Sequence, residues 1–150
     1  MNDLIQKGIT GFSSTRNNET LEDTKSFLTC IHSIMQGKVE WEDIDIVGKN
    51  YYWFLVSTND QEFSFFLNAF YPLVAIRRES PKSNFGYLNA DEIEEQFPKL
   101  KQFKYKILSR EVLNQDLLVS EVESLDEAEI KQAQYWKPRT YEEIIFNNWD

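Results

Sequence analysis

The stretch Tyr51 to Thr58, "YYWFLVST", is apolar at nearly every position. A strand solvated on one side alternates apolar with polar residues, so this pattern predicts a strand covered on both faces and central in a sheet. Asn59-Asp60 marks a tight turn, and Glu62 to Asn68, "EFSFFLN", follows with partial alternation, so residues 51–70 read as a β-hairpin.

The flanking segments supply cover and further strands. From Thr20 to Gln36 the residues Phe27, Leu28, Ile31, Ile34 and Met35 recur at helical spacing, with Asn18 or Thr20 as the cap, Glu22 and Asp23 in the first turn, and Gly37 as the stop. Trp41 to Val47 reads as a strand before the turn Gly48-Lys49-Asn50, and Leu73 to Arg78 reads as another, with Pro72 tolerated at its start. Ser80 to Tyr87 reads as a loop. Asn89 then caps a short acidic helix over Asp91 to Glu95 that Pro98 ends. Phe103 to Ile107 alternates as a strand, Leu117 to Val122 reads as a weaker one, and Ser124 with Glu127 and Thr140 with Glu143 have the spacing of capping boxes that open short helices. The fold class expected is α+β: one domain over residues 1–150, an antiparallel sheet of four to six strands packed by an N-terminal helix and short C-terminal helices.

Composition narrows the function classes. The chain has 150 residues, of which 41% are hydrophobic and 15% aromatic, enough for one well-filled core. Its net charge of −9 repels phosphate backbones and anionic lipids, so neither nucleic acid nor a membrane surface is expected, and a basic protein partner is. No run approaches the ~20 apolar residues of a membrane span, and the start lacks the pattern of a signal peptide, so the expected location is intracellular, in the cytoplasm. Cys30 is the single cysteine, which excludes an intramolecular disulfide.

The chain finishes on "TYEEIIFNNWD". Tyr141, Ile145 and Trp149 lie four apart on one predicted helical face, so the segment requires a core, yet Asp150 would sit at the negative end of that helix. Either the helix frays before Asn147, or a cation such as Arg77, Arg78 or Arg139 comes near, or an external basic partner supplies the charge. The stretch "YWKPRTYEEIIFNNWD" resembles the Trp-x-Pro-x-Thr-x-x-Glu-Ile-Ile-Phe-Asn-x-Trp-Asp ending of small uncharacterised bacterial proteins, some encoded among toxin and immunity genes, and "ITGFSSTRN" near the start extends the resemblance loosely. The resemblance implies a bacterial origin and an immunity-like role, and brings no activity or site residue with it.

Catalytic signatures are weak. Cys30 and His32 stand two apart on a helix and so point to different sides. Ile9 to Arg16 holds Gly11 and hydroxyls ahead of a helix but lacks the ending of a phosphate loop. The acidic stretches 91–95 and 126–129 occupy first helical turns, where negative charge is stabilising. Lys99, Lys101, Lys104 and Lys106 form the one basic run.

Glu40, Trp41, Glu42, Asp43 and Asp45 crowd one predicted strand with no such explanation; strand alternation would put Glu40 and Glu42 on one face and Asp43 and Asp45 on the other. These five residues are the expected partner-binding site, with 121–129 as a second acidic surface, and no catalytic residue, metal ligand or cofactor is expected. The leading functional expectation is a non-catalytic protein-binding domain, immunity-like, that neutralises a basic partner. The alternatives are a small-ligand domain with a pocket lined by the aromatics of 51–71, and a carboxylate-based hydrolase.

Overall fold

The computed structural model describes residues 4–12, 21–35, 37–80, 86–98 and 105–149. The hairpin stands at the middle of the sheet: β2 (Tyr51–Ser57) pairs antiparallel with β3 (Glu62–Asn68), and β1 (Lys38–Asp43) and β4 (Leu73–Ser80) flank them in the order β1-β2-β3-β4. The far side of β4 is shared by β5 (Gly86–Tyr87), antiparallel, and β6 (Lys106–Leu108), parallel.

Alternation along β2 sends its residues into two cores. Tyr52, Phe54 and Val56 join Phe63, Phe65, Leu67, Val74 and Ile76 beneath Phe27, Leu28 and Ile31 of α1 (Leu21–Met35) and Ile93 of α2 (Ala90–Gln96). On the opposite face Tyr51, Trp53, Phe66, Leu73 and Ala75 meet Leu4, Ile5 and Ile9 of the N-terminal segment and the helices of the C-terminal third. Those helices are α3 (Arg110–Leu113), α4 (Val119–Glu123), α5 (Glu127–Trp136) and α6 (Tyr141–Ile145). The central strand is therefore covered on both faces, as its apolar sequence requires. The fold is a single α+β domain with a mostly antiparallel sheet.

Several local expectations are corrected. The first strand ends at Asp43, and residues 44–47 form a loop, because Asp43 Oδ1 accepts from the Asp45 N–H (3.0 Å) and Asp45 Oδ1 from the Val47 N–H (2.9 Å), turns that compete with a ladder. Leu117–Val122 is not a strand: Leu118 leads into α4, and only Asp116 makes an isolated bridge, to Thr140. Ser124 ends α4 instead of opening a helix, and α5 is capped by Asp126 in a capping box with Glu129. β6 spans Lys106–Leu108 and runs parallel to β4, so the sheet is not purely antiparallel.

Other expectations hold. Asn89 caps α2, its side chain accepting from the Glu92 N–H at 2.8 Å, and Glu143 reaches back to the Thr140 N–H at 2.9 Å. α1 covers most of the predicted helix. The proposed caps Asn18 and Thr20, the end residue Gln36, residues 81–85 of the predicted loop, Lys99, Lys101, Lys104 and Asp150 lie outside the described residues. Gly37 follows α1 for a packing reason, since a Cβ there would stand 2.8 Å from Val56 Cγ1.

Candidate functional site

β1 is the exposed edge of the sheet. Among the described residues it pairs only with β2, a bulge between Val39 and Trp41 breaks its alternation, and each residue from Lys38 to Glu42 is exposed. Trp41 is 46% exposed although one edge of its ring meets Trp53 at 4.7 Å between centroids. Of the five residues expected from sequence, four belong to this strand, and Asp45 stands beyond it in the loop to β2.

The carboxylates have different local roles. Asp43 forms an ion pair with Lys49, and this hydrogen bond holds its carboxyl below the usual range. Asp45 closes the turn at Val47. Glu40 Oε1 accepts from Ser57 Oγ at 2.7 Å. None of the ion pairs among the described residues involves Glu40, Glu42 or Asp45.

The loop after β1 forms one wall of an open groove of about 1050 Å³. Residues 44–49 of that loop and Gln132, Tyr135 and Trp136 of α5 line it, Lys49 among them, and Thr10, Gly11, Phe12 and Trp149 complete the lining. Four rings follow one another there. Phe12 and Trp149 are 6.1 Å apart, Trp149 and Trp136 lie parallel at 6.5 Å with 5° between planes, and Tyr135 meets Trp136 edge-on at 5.1 Å. From Trp149 onward exposure rises, from 8% to 77% at Tyr135. Trp136 Nε1 donates to Gln132 Oε1 at 3.2 Å. Ile44 and the 83%-exposed Val47 bring apolar surface from the opposite wall.

Buried polar groups hold the two chain regions behind this groove. The fully buried Glu129 carboxylate accepts from the Gly8 N–H (2.8 Å), the Thr10 N–H (3.0 Å) and the Thr10 hydroxyl. Asn50 Nδ2 donates to Ile9 O (2.7 Å) and Ile145 O (3.0 Å), while its Oδ1 accepts from the Asn147 N–H (2.8 Å). Asn68 Nδ2 donates to Ile145 O at 2.7 Å, and Asn147 Nδ2 to Thr10 O at 3.1 Å. Gly11, at φ +82°, turns the segment, and a Cβ there would stand a tight 3.0 Å from Phe70 Cε2. The stretch "IIFNNW" and the lead segment "ITGF", which share the sequence resemblance, thus meet in space.

The helix over the ending is short. α6 stops at Ile145, before Asn147, yet Phe146, Asn147 and Trp149 are buried beyond its end. Of the cations considered for Asp150, Arg77 pairs with Glu79, and Arg78 Nη2 lies 3.8 Å from Glu92.

The remaining sequence candidates separate. His32 Nδ1 engages Gly37 O, and Cys30 is half-buried on α1. The second acidic surface is partly consumed, because Glu129 is buried and Glu121 accepts from the Tyr141 hydroxyl, whose pKa burial and that bond push up to about 12. The aromatics of 51–71 mostly fill the two cores. Among the described residues no three His, Cys, Asp or Glu side chains converge as a metal ion would need, and no helix is long and apolar enough to cross a membrane.

One polar cluster was not legible in the sequence. Arg77, over the Phe66 ring at 4.8 Å, stands beside Tyr87 and Glu142, and burial first, then the neighbouring Glu143, raises the Glu142 carboxyl, with Arg77 and Tyr87 opposing. Burial likewise raises Tyr87. Tyr135 and Trp136 were also missed as groove residues, although two adjacent bulky rings at the end of a short helix cannot both face its core. No family model, curated protein or solved structure matches the chain.

Proposed function

We propose that this chain is a non-catalytic protein-binding domain that takes a basic partner on the edge of β1 and the loop that follows. The carrying observation is an edge strand exposed from Lys38 to Glu42, with a half-exposed Trp41 between Glu40 and Glu42 and no cation paired to either acid among the described residues. An open edge offers main-chain N–H and C=O groups to an added strand, Trp41 offers an anchor, and the acids select a basic segment. The excess of negative charge over the whole chain, −9, draws such a partner by long-range attraction. The resemblance of the two chain ends to proteins encoded among toxin and immunity genes makes a basic toxin, met inside the cell, the partner to seek first.

Edge protection is the competing use of these charges, since carboxylates on an edge also deter pairing between copies. Amide hydrogen exchange separates the two. A basic protein co-purified from the source cell is added to the domain, and exchange along residues 38–47 is followed with and without it. Binding at the edge slows exchange there, and Trp41→Ala removes the protection. Unchanged exchange at 38–47 in a formed complex would place the interface elsewhere.

A further inference from the structure

We propose that the groove between the β1–β2 loop and α5 docks a proline-rich segment of a protein in the polyproline II conformation, with an Arg or Lys beside the prolines. The inference goes beyond the edge-strand reading; the two share the β1–β2 loop and Asp45, but Trp41 serves only the first and Tyr135 and Trp136 only the second, so either can fail alone.

The shape of the groove argues for an extended occupant. Small ligands bind where most of their surface is enclosed, whereas this site is a partly open groove. Its walls are the side chains of a helix and a loop, Gln132, Tyr135 and Trp136 on one side and Ile44 to Val47 on the other. Neither wall is a strand edge, so an occupant cannot satisfy its backbone by pairing. Polyproline II is the extended conformer that needs no such pairing, its backbone remaining solvated and its ordering cost small.

The chemistry of the lining argues for proline beside a cation. Phe12, Trp149, Trp136 and Tyr135 form a row of rings on which pyrrolidine rings pack, with Trp149 buried and Trp136 and Tyr135 exposed at the rim. Gln132 Oε1 is occupied by the Trp136 indole, which leaves its amide N–H to donate to an occupant's carbonyl. On the facing wall the Asp45 carboxylate lacks a cationic partner among the described residues, while the neighbouring Lys49 is committed to Asp43. A guanidinium placed there would pair with Asp45 and lie near aromatic faces. An anionic polymer is disfavoured by the same carboxylate and by the net charge.

The test uses the intact domain and three synthetic peptides: a proline-rich peptide ending in Arg-Arg, the same peptide ending in Glu-Glu, and one with glycine in place of proline. A neutral oligosaccharide is the fourth probe, since sugars also stack on tryptophan. Binding is read from the indole N–H resonances of Trp136 and Trp149 and from titration. The Arg-ended proline peptide shifts both indoles, and each control peptide binds at least about tenfold more weakly. Tyr135→Ala, at a side chain too exposed to support the fold, weakens binding about tenfold. Asp45→Asn keeps the acceptor for Val47 and weakens only the Arg-ended peptide. Equal binding of the glycine peptide, no indole shift with the proline peptide, or a larger shift with the oligosaccharide would each overturn the proposal.

Discussion

Three buried asparagines, Asn50, Asn68 and Asn147, tie irregular segments to the sheet. Asn50 and Asn68 stand at the same end of the β2–β3 hairpin, paired strand positions or their immediate neighbours, and with Asn147 they use amide groups to satisfy carbonyls of residues 9, 10, 144 and 145. An amide side chain carries both donors and an acceptor, which suits it to a place where two irregular segments end against a sheet. Asn50→Ala would leave the Ile9 carbonyl and the Asn147 N–H short of partners in a buried site. The expected loss is about 2–4 kcal/mol, read by urea denaturation. A loss below about 0.5 kcal/mol would show that Asn68 and Asn147 replace those bonds.

At the scale of elements, α6 sits on the sheet through both oil and charge. Ile144 and Ile145 are buried, while Glu142 lies beside Tyr87 and Arg77 with its carboxyl raised by burial. For an acid whose folded pKa exceeds its unfolded value, the folded state binds the proton more tightly, so its contribution is favourable at low pH and is lost as pH rises through the folded pKa. The Asp43–Lys49 pair acts in the opposite sense, since a lowered acid adds stability above its unfolded pKa and loses it as pH falls. Comparing thermal melts of the protein with those of Glu142→Gln across the acid range isolates the first effect. The variant gains relative to the parent as pH rises through and above the ordinary carboxylate range, and a constant difference between the two would contradict this assignment.

Much of this level was readable from sequence because periodicity reports burial. The double-faced strand at 51–57, the stripe of α1 and the Asn89 cap follow from side-chain patterns alone. The misreadings occur where short polar side chains take over the backbone: Asp43 and Asp45 end β1 early, and Asp126 opens α5 in place of Ser124. The groove was illegible for a further reason, as Val47 and Trp136 are nearly ninety residues apart and meet only through the fold. The same holds for Glu129, whose position in a first helical turn accounts for its charge locally but gives no sign that it clamps the N-terminal segment.

At the scale of the whole molecule, negative charge and exposed apolar surface coincide on one side of the sheet. Val39, Trp41, Ile44 and Val47 are all exposed within nine residues that also carry Glu40, Glu42 and Asp45. Apolar surface of this kind costs solubility unless it is used, and rim carboxylates steer a partner of opposite charge toward it. The sharpest measurement is the association rate of a basic partner with the domain and with the Glu40→Lys, Glu42→Lys, Asp45→Lys variant, by stopped flow from low to physiological salt. Asp43 is left in place because its pair with Lys49 shapes the loop. Association of the parent slows steeply with salt, the variant associates at least about tenfold more slowly at low salt, and its salt dependence is nearly flat. Equal rates for the two proteins at low salt would contradict a binding role for this edge.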